Sequence, residues 1–129
     1  MAERLSILIL DDEPIVGDRL KPALEKDGSQ VEIFVDPKLA LDRLDAKEFD
    51  IVVTDLRMDD VSGIQVLEKV TAKSNRTKVI LITGYATLEV ARESLTKGAF
   101  DFIAKPFKLG EIRETIKKAA KALQEGRQV

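Results

Sequence analysis

Residues Ser6–Pro14 read SILILDDEP, an apolar run set directly against two aspartates and a glutamate. The run is rich in branched aliphatic residues and has the length of a strand, and its nearly unbroken hydrophobicity is that of a strand covered on both faces. Three acids at the end of such a strand repel one another and disfavour a low-dielectric setting. Their placement therefore calls for open water or for a cation.

Outward from this stretch, four further runs repeat its character. Leu5–Leu10 (LSILIL) is followed by Val31–Val35 (VEIFV), Ile51–Thr54 (IVVT), Val79–Thr83 (VILIT) and Phe100–Ala104 (FDFIA). The first, third and fourth are almost wholly apolar, as in a parallel sheet with both faces covered, whereas the glutamate in VEIFV points to an edge position. Helical patterns fill the intervals. Glu13-Pro14 and Asp36-Pro37 each place a proline at a helix start. Val16, Leu20, Ala23 and Leu24 follow the first start, with Pro22 among them as a kink or a break in regularity; Ala40, Leu41 and Leu44 follow the second. Ile64, Leu67 and Val70 make a third apolar face, and Thr87 caps a fourth helix carrying Val90, Ala91 and Leu95. The last helix sets Leu109, Ile112, Ile116, Ala120 and Leu123 on one side, with Lys117, Lys118 and Lys121 outside as a solvated face. Strand and helix alternating five times imply right-handed crossovers and a doubly wound, three-layer α/β sandwich. No linker or repeat interrupts the 129 residues, which read as one domain with an ordered core over about residues 4–124.

Composition narrows the chemistry. The chain has 44% hydrophobic and 34% charged residues and a formal net charge of −2, so it lacks the basic excess of a nucleic-acid-binding domain. It has no cysteine and no histidine, which excludes disulfides, thiolate or imidazole zinc sites and histidine-based proton transfer. No apolar stretch approaches the roughly 20 residues that span a bilayer, and the start MAERLSILIL has no small-residue cleavage site, so a cytoplasmic location is expected. Carboxylates, lysines and hydroxyls remain as the reactive set.

In doubly wound sheets functional groups gather beyond the carboxyl ends of the strands. Those ends carry Asp11, Asp12 and Glu13 after the first strand, Asp55 after the third, Thr83-Gly84 after the fourth and Lys105-Pro106 after the fifth. Any one of these alone is an ordinary polar loop residue. Together, carboxylates converging with a lysine and a hydroxyl make a site for a hard cation of Mg2+ type with room for a phosphate. Asp55 is the central candidate for a nucleophile toward phosphorus; Asp11 and Asp12 would hold the metal, Lys105 would meet the phosphoryl oxygens, Thr83 would donate to one of them, and Gly84 leaves its N–H approachable.

The set ILILDDEP, VVTDLRMDDVSG, ILITGYA and DFIAKPF resembles the receiver domain of bacterial two-component response regulators over nearly the whole chain. The resemblance implies a flavodoxin-like (βα)5 fold with a five-stranded parallel sheet in the order 2-1-3-4-5. It implies Asp55 as phosphoacceptor, Asp11 and Asp12 as the acidic pair of an Mg2+ (or Mn2+) site, the backbone carbonyl of Arg57 as a further ligand, and the amides of Leu56 and Gly84 as phosphoryl contacts. It further implies Thr83 and Phe102 as switch residues, Lys105 as the conserved-type lysine, a cis Lys105-Pro106 bond, Gly63 as the helix-start glycine, and Arg57 and Tyr85 as residues governing water access to Asp55. Their bulk leads to the expectation of slow phosphoryl loss. Asp59 stands where the family often has proline. The stretch GYATLEVARESLTKGAFDFIAKPF resembles receivers of the nitrogen-regulation class. The partners implied are a sensor histidine kinase or histidine phosphotransfer protein and a downstream protein or output domain, with no nucleic acid bound directly, no membrane, and a homodimer on phosphorylation as one option. The output surface implied is the face of helix four, strand five and helix five, including Leu88, Ser94, Lys97, Lys108 and Arg113. Two other readings stay open: a degenerate receiver that binds proteins without phosphate, and a Mg2+-dependent aspartyl-phosphate phosphatase, for which no substrate cap or spare acid/base is evident. A nucleotide-binding role is weaker, since no P-loop or GxGxxG follows the first strand.

Overall fold

The computed structural model describes residues 4–58, 60–85 and 87–127. Five strands alternate with five helices: β1 (Ser6–Leu10), α1 (Pro14–Lys26), β2 (Gln30–Phe34), α2 (Pro37–Ala46), β3 (Ile51–Asp55), α3 (Gly63–Lys73), β4 (Lys78–Thr83), α4 (Leu88–Thr96), β5 (Asp101–Ala104) and α5 (Leu109–Arg127). The strands pair in parallel in the order β2-β1-β3-β4-β5, the expected flavodoxin-like arrangement. Strand β2, whose Glu32 marked it as an edge, does lie at the edge, and Glu32 is held there by a two-pronged pair with Arg43 at 2.8 and 3.0 Å.

The period of two along each strand divides the core into two layers. Ile7 and Ile9, Ile51 and Val53, and Ile80 and Ile82 face α1 and α5, where they meet Leu20, Leu24, Ile112 and Ile116. Leu8 and Leu10, Val52, Val79 and Leu81 face the other side and pack with Ala40, Leu44, Val66, Leu67 and Val70. The three central strands are thus buried on both faces, and the sheet becomes a stiff platform whose carboxyl edge carries the polar residues.

Local chemistry sets the helix starts. Pro14 and Pro37 open their helices as expected, and Asp36 caps α2 by accepting from the Lys38 amide. Ser62 and Gln65 form a reciprocal capping box on α3, and Thr87 caps α4 by accepting from Val90. Helix α1 runs through Pro22 without breaking; the proline lies on the exposed side.

Two expectations about faces are corrected. On α4, Ser94 is fully buried and Leu95 is 51% exposed, the reverse of the reading from apolar spacing. The Ser94 hydroxyl donates to the Val90 carbonyl one turn back, which satisfies its polar atom and lets a small residue take the position against the sheet. Ser94 therefore forms no part of an outer face. On α5, Ala119 is the fully buried alanine and Ala120 is half-buried.

Candidate functional site

Strands β1, β3 and β5 bring together groups that lie far apart in the chain. Asp55, the last residue of β3, is 5% exposed, and Asp11, just past β1, is 2% exposed. The Lys105 ammonium reaches in from the end of β5 and lies 2.8 Å from Asp11 Oδ2, 2.9 Å from Glu13 Oε1 and 3.3 Å from Asp55 Oδ2. The Asp11 contact is an ion pair without the alignment of a directed hydrogen bond, so Asp11 Oδ2 is held by charge. Asp11 Oδ1 accepts the Glu13 amide at 2.9 Å, which fixes the turn between β1 and α1. The Lys105-Pro106 bond is cis, and the Lys105 amide donates to the Thr83 carbonyl at 2.7 Å, tying the ends of β4 and β5.

Electrostatics follow from this crowding. Burial raises the Asp55 carboxyl above the ordinary carboxylate range, and the Asp11 charge adds to the rise; Lys105 and the Arg57 amide oppose it. For Lys105, burial favours the neutral amine, yet the pairs with Asp11 and Glu13 outweigh it and push the ammonium above its ordinary value. The lysine is a permanent cation at neutral pH.

Asp11, exposed Asp12 and Asp55 each offer a carboxylate oxygen, and the three oxygens lie within 4.8 Å of one another. Hard oxygen donors in that number suit a divalent cation of Mg2+ type. The residues present thus fit the metal that the sequence implied.

The remaining expected residues divide. Thr83 is fully buried, and its hydroxyl accepts the Tyr85 amide at 3.0 Å. Gly84 is exposed, with open space where a side chain would project. Phe102 is half-buried against the layer that holds α2 and α3. The Arg57 guanidinium lies 4.0 Å from the centroid of the Tyr85 ring, and Tyr85 is 58% exposed, so the two side chains stack at the rim. The Leu56 amide departs from expectation: it donates to the Ile82 carbonyl at 2.8 Å as part of sheet pairing and does not face the pocket. The amide that faces Asp55 is that of Arg57, 3.4 Å from Oδ1. Asp59 lies outside the described residues.

Two contributors have contacts that sequence spacing does not assign. Glu13, one of the three acids at the end of β1, shares the Lys105 ammonium. Thr54 is fully buried and donates from Oγ1 to the Asp55 carbonyl at 3.0 Å; a threonine among IVVT gave no sign of this.

Comparison with known proteins agrees with the fold. Residues 7–117 match the response regulator receiver domain. The chain is 34% identical over 113 residues to the response regulator protein PilR of Pseudomonas aeruginosa, covering 88% of this chain and 25% of PilR. It is 32% identical over 112 residues to sporulation initiation phosphotransferase F of Bacillus subtilis, covering 87% and 90% of the two chains. The receiver domain dimer of beryllofluoride-activated NtrC4 superposes with a TM-score of 0.86 at 28% identity over 92% of this chain and 98% of that one. The chain thus spans about a quarter of PilR's length but most of the phosphotransferase's.

Proposed function

The chain belongs to the response regulator receiver family, a group of signalling modules, and from that premise we propose that it is a phosphorylation switch in which Asp55 accepts a phosphoryl group with the help of Mg2+. The observation that carries the proposal is the single ammonium of Lys105 held between Asp11 and Asp55 beside a three-carboxylate cluster. Asp11, Asp12, Asp55 and the Arg57 carbonyl would hold the metal, which would neutralise the charge of an anionic donor. An oxygen of Asp55 attacks phosphorus, the bond to the leaving group breaks, and Lys105 compensates the charge on the transferring oxygens. The Arg57 amide, already facing Asp55, would donate to the new group, and the amide of exposed Gly84 would be a second donor.

The Thr83 hydroxyl, now accepting from Tyr85, is the group that would turn toward the phosphoryl oxygen, with half-buried Phe102 following. The readout surface is then α4–β5–α5, where Leu88 is 67% and Leu95 51% exposed. A histidine kinase or histidine phosphotransfer protein is the expected donor, and a downstream protein or output domain the expected receiver of the signal, in the cytoplasm; the NtrC4 relative supports a dimer on activation. Among the described residues no helix is long and apolar enough to cross a membrane.

Intact-mass spectrometry after incubation with acetyl phosphate tests the reading. We expect a Mg2+-dependent gain of one phosphoryl group in the wild type and none in Asp55→Ala. An unchanged mass under every condition would instead favour a phosphate-independent binding module.

A further inference from the structure

The Asp55–Leu56 peptide is held from several directions by groups other than the carboxylate cluster and Lys105. Its N–H donates to Ile82 O at 2.8 Å, and its carbonyl accepts the buried Thr54 hydroxyl at 3.0 Å. The next carbonyl, Leu56 O, accepts the Gly63 amide at 2.8 Å. Gly63 itself lies flat on the peptide: a Cβ there would sit 2.4 Å from Asp55 O, 2.8 Å from Leu56 Cα and 3.1 Å from Asp55 C. All three atoms are backbone and cannot swing aside as a flexible side chain would. The Ser62–Gln65 capping box fixes the first turn of α3 that carries Gly63, so the contact is stiff on both sides.

We propose that Thr54 and Gly63 are positioning residues for the acceptor, with the Thr54 hydroxyl setting the orientation of the Asp55–Leu56 peptide, which joins the Cα that carries the Asp55 carboxylate to the following peptide that carries the Arg57 amide. The inference rests on Asp55 being the phosphoacceptor. Rotating this peptide moves the carboxylate relative to Lys105, 3.3 Å away, and the amide relative to Oδ1, 3.4 Å away. Displacements of about 1 Å at reacting groups cost up to about 100-fold in rate, so loss of one restraint has a measurable effect without unfolding the sheet.

The test compares phosphorylation rates by acetyl phosphate at saturating Mg2+, followed by intact mass, for wild type, Thr54→Val, Thr54→Ala, Thr54→Ser and Gly63→Ala, with melting temperatures recorded in parallel. Valine keeps the shape and strand preference of threonine but removes the hydroxyl; serine keeps the hydroxyl but leaves a methyl-sized void and is the poorer strand former. We expect Thr54→Val and Thr54→Ala to slow about fivefold, Gly63→Ala to slow about tenfold or more, and Thr54→Ser to stay within about twofold of wild type although it melts lower. A packing role predicts the opposite ranking of valine and serine. Wild-type rates in both hydroxyl-free variants overturn the proposal, as does a serine variant as slow as valine. Failure of both hydroxyl-free variants to fold also overturns it, because the hydroxyl then serves the fold. Absence of phosphoryl uptake in the wild type overturns the acceptor reading itself, and the positioning role with it.

Discussion

Replacing Lys105 with methionine isolates the charge balance of the pocket, because methionine preserves much of the apolar stem while removing the ammonium. The Lys105 side chain is 17% exposed, that of Asp11 fully buried and that of Asp55 8% exposed, so two of its three partners are cut off from water. Removing one member of a buried pair costs about 3–5 kcal/mol. The third partner, Glu13, is 63% exposed and leaves one side of the pocket open to solvent, which places the expected loss near the lower end, about 3 kcal/mol. For a chain of this length that is a fall of about 10 °C in Tm. Thermal unfolding followed by circular dichroism at pH 8 in the presence of a chelator measures it. The pH dependence has a definite sign. In the wild type the Asp55 carboxyl is raised by burial and by Asp11, and Lys105 opposes the rise. Without Lys105 it rises further, so protonation in the folded state relieves the variant first, and its deficit shrinks as pH falls toward the carboxylate range. Added Mg2+ shrinks it as well, by restoring positive charge beside the same carboxylates. Lys105 has a raised folded pKa, so its contribution in the wild type is complete below the ordinary lysine value of 10.5 and is lost only as pH climbs above it. A variant melting within about 2 °C of wild type, or a deficit indifferent to both acid and Mg2+, would refute this account.

Two further outcomes follow from other contacts. Truncating Tyr85 to alanine removes the ring beneath Arg57 and opens the rim of the pocket, so the phosphorylated variant should lose its phosphoryl group about two- to fivefold faster in a timed mass assay; an unchanged lifetime would show that the stacked pair does not shield Asp55. Asp50 is raised by burial but pulled lower overall by the Ser6 amide at 2.9 Å and by Arg76 at 2.7 Å. Its contribution is therefore present above the ordinary value of 3.8 and lost as pH falls through the folded value. Asp50→Asn should cost about 2 kcal/mol at pH 7 and flatten the acid limb of the stability curve, and a denaturant series from pH 7 to pH 3 would show whether it does.

What the sequence disclosed depended on how far each property was local. Unbroken apolar runs identified the central strands, and Glu32 identified an edge, because burial on one face or two acts directly on composition. Proline and threonine starts located the helices for the same reason. Helix α4 was misjudged because spacing assigns the inward position to the apolar residue, whereas close approach to the sheet rewarded a small side chain that could satisfy its own hydroxyl. Phe49 offered no pattern at all: it sits alone between α2 and β3, yet it is 1% exposed with Lys47 over its ring. The pocket was legible as a set of strand ends, but its contacts were not. Lys105 and Glu13 are 92 residues apart, and only the order of the strands brings them together.

The opening acids can now be placed in that order. Asp11 is buried and paired, Glu13 reaches Lys105 from the solvent side, and exposed Asp12 completes a carboxylate trio with Asp11 and Asp55. Lys105 pairs with Asp11, Glu13 and Asp55, and the Asp55 carboxyl is nonetheless raised, first by burial and then by the Asp11 charge beside it. Carboxylates buried this close to one another cost stability through desolvation and mutual repulsion. Retaining them makes sense if a divalent cation joins the cluster, and the proposed transfer then has an order: the carboxylates of Asp11, Asp12 and Asp55 oppose an anionic phosphodonor until that charge is offset. Phosphoryl transfer should therefore depend on divalent cation more steeply than stability does, since stability needs the carboxylates tolerated while transfer needs their charge overcome.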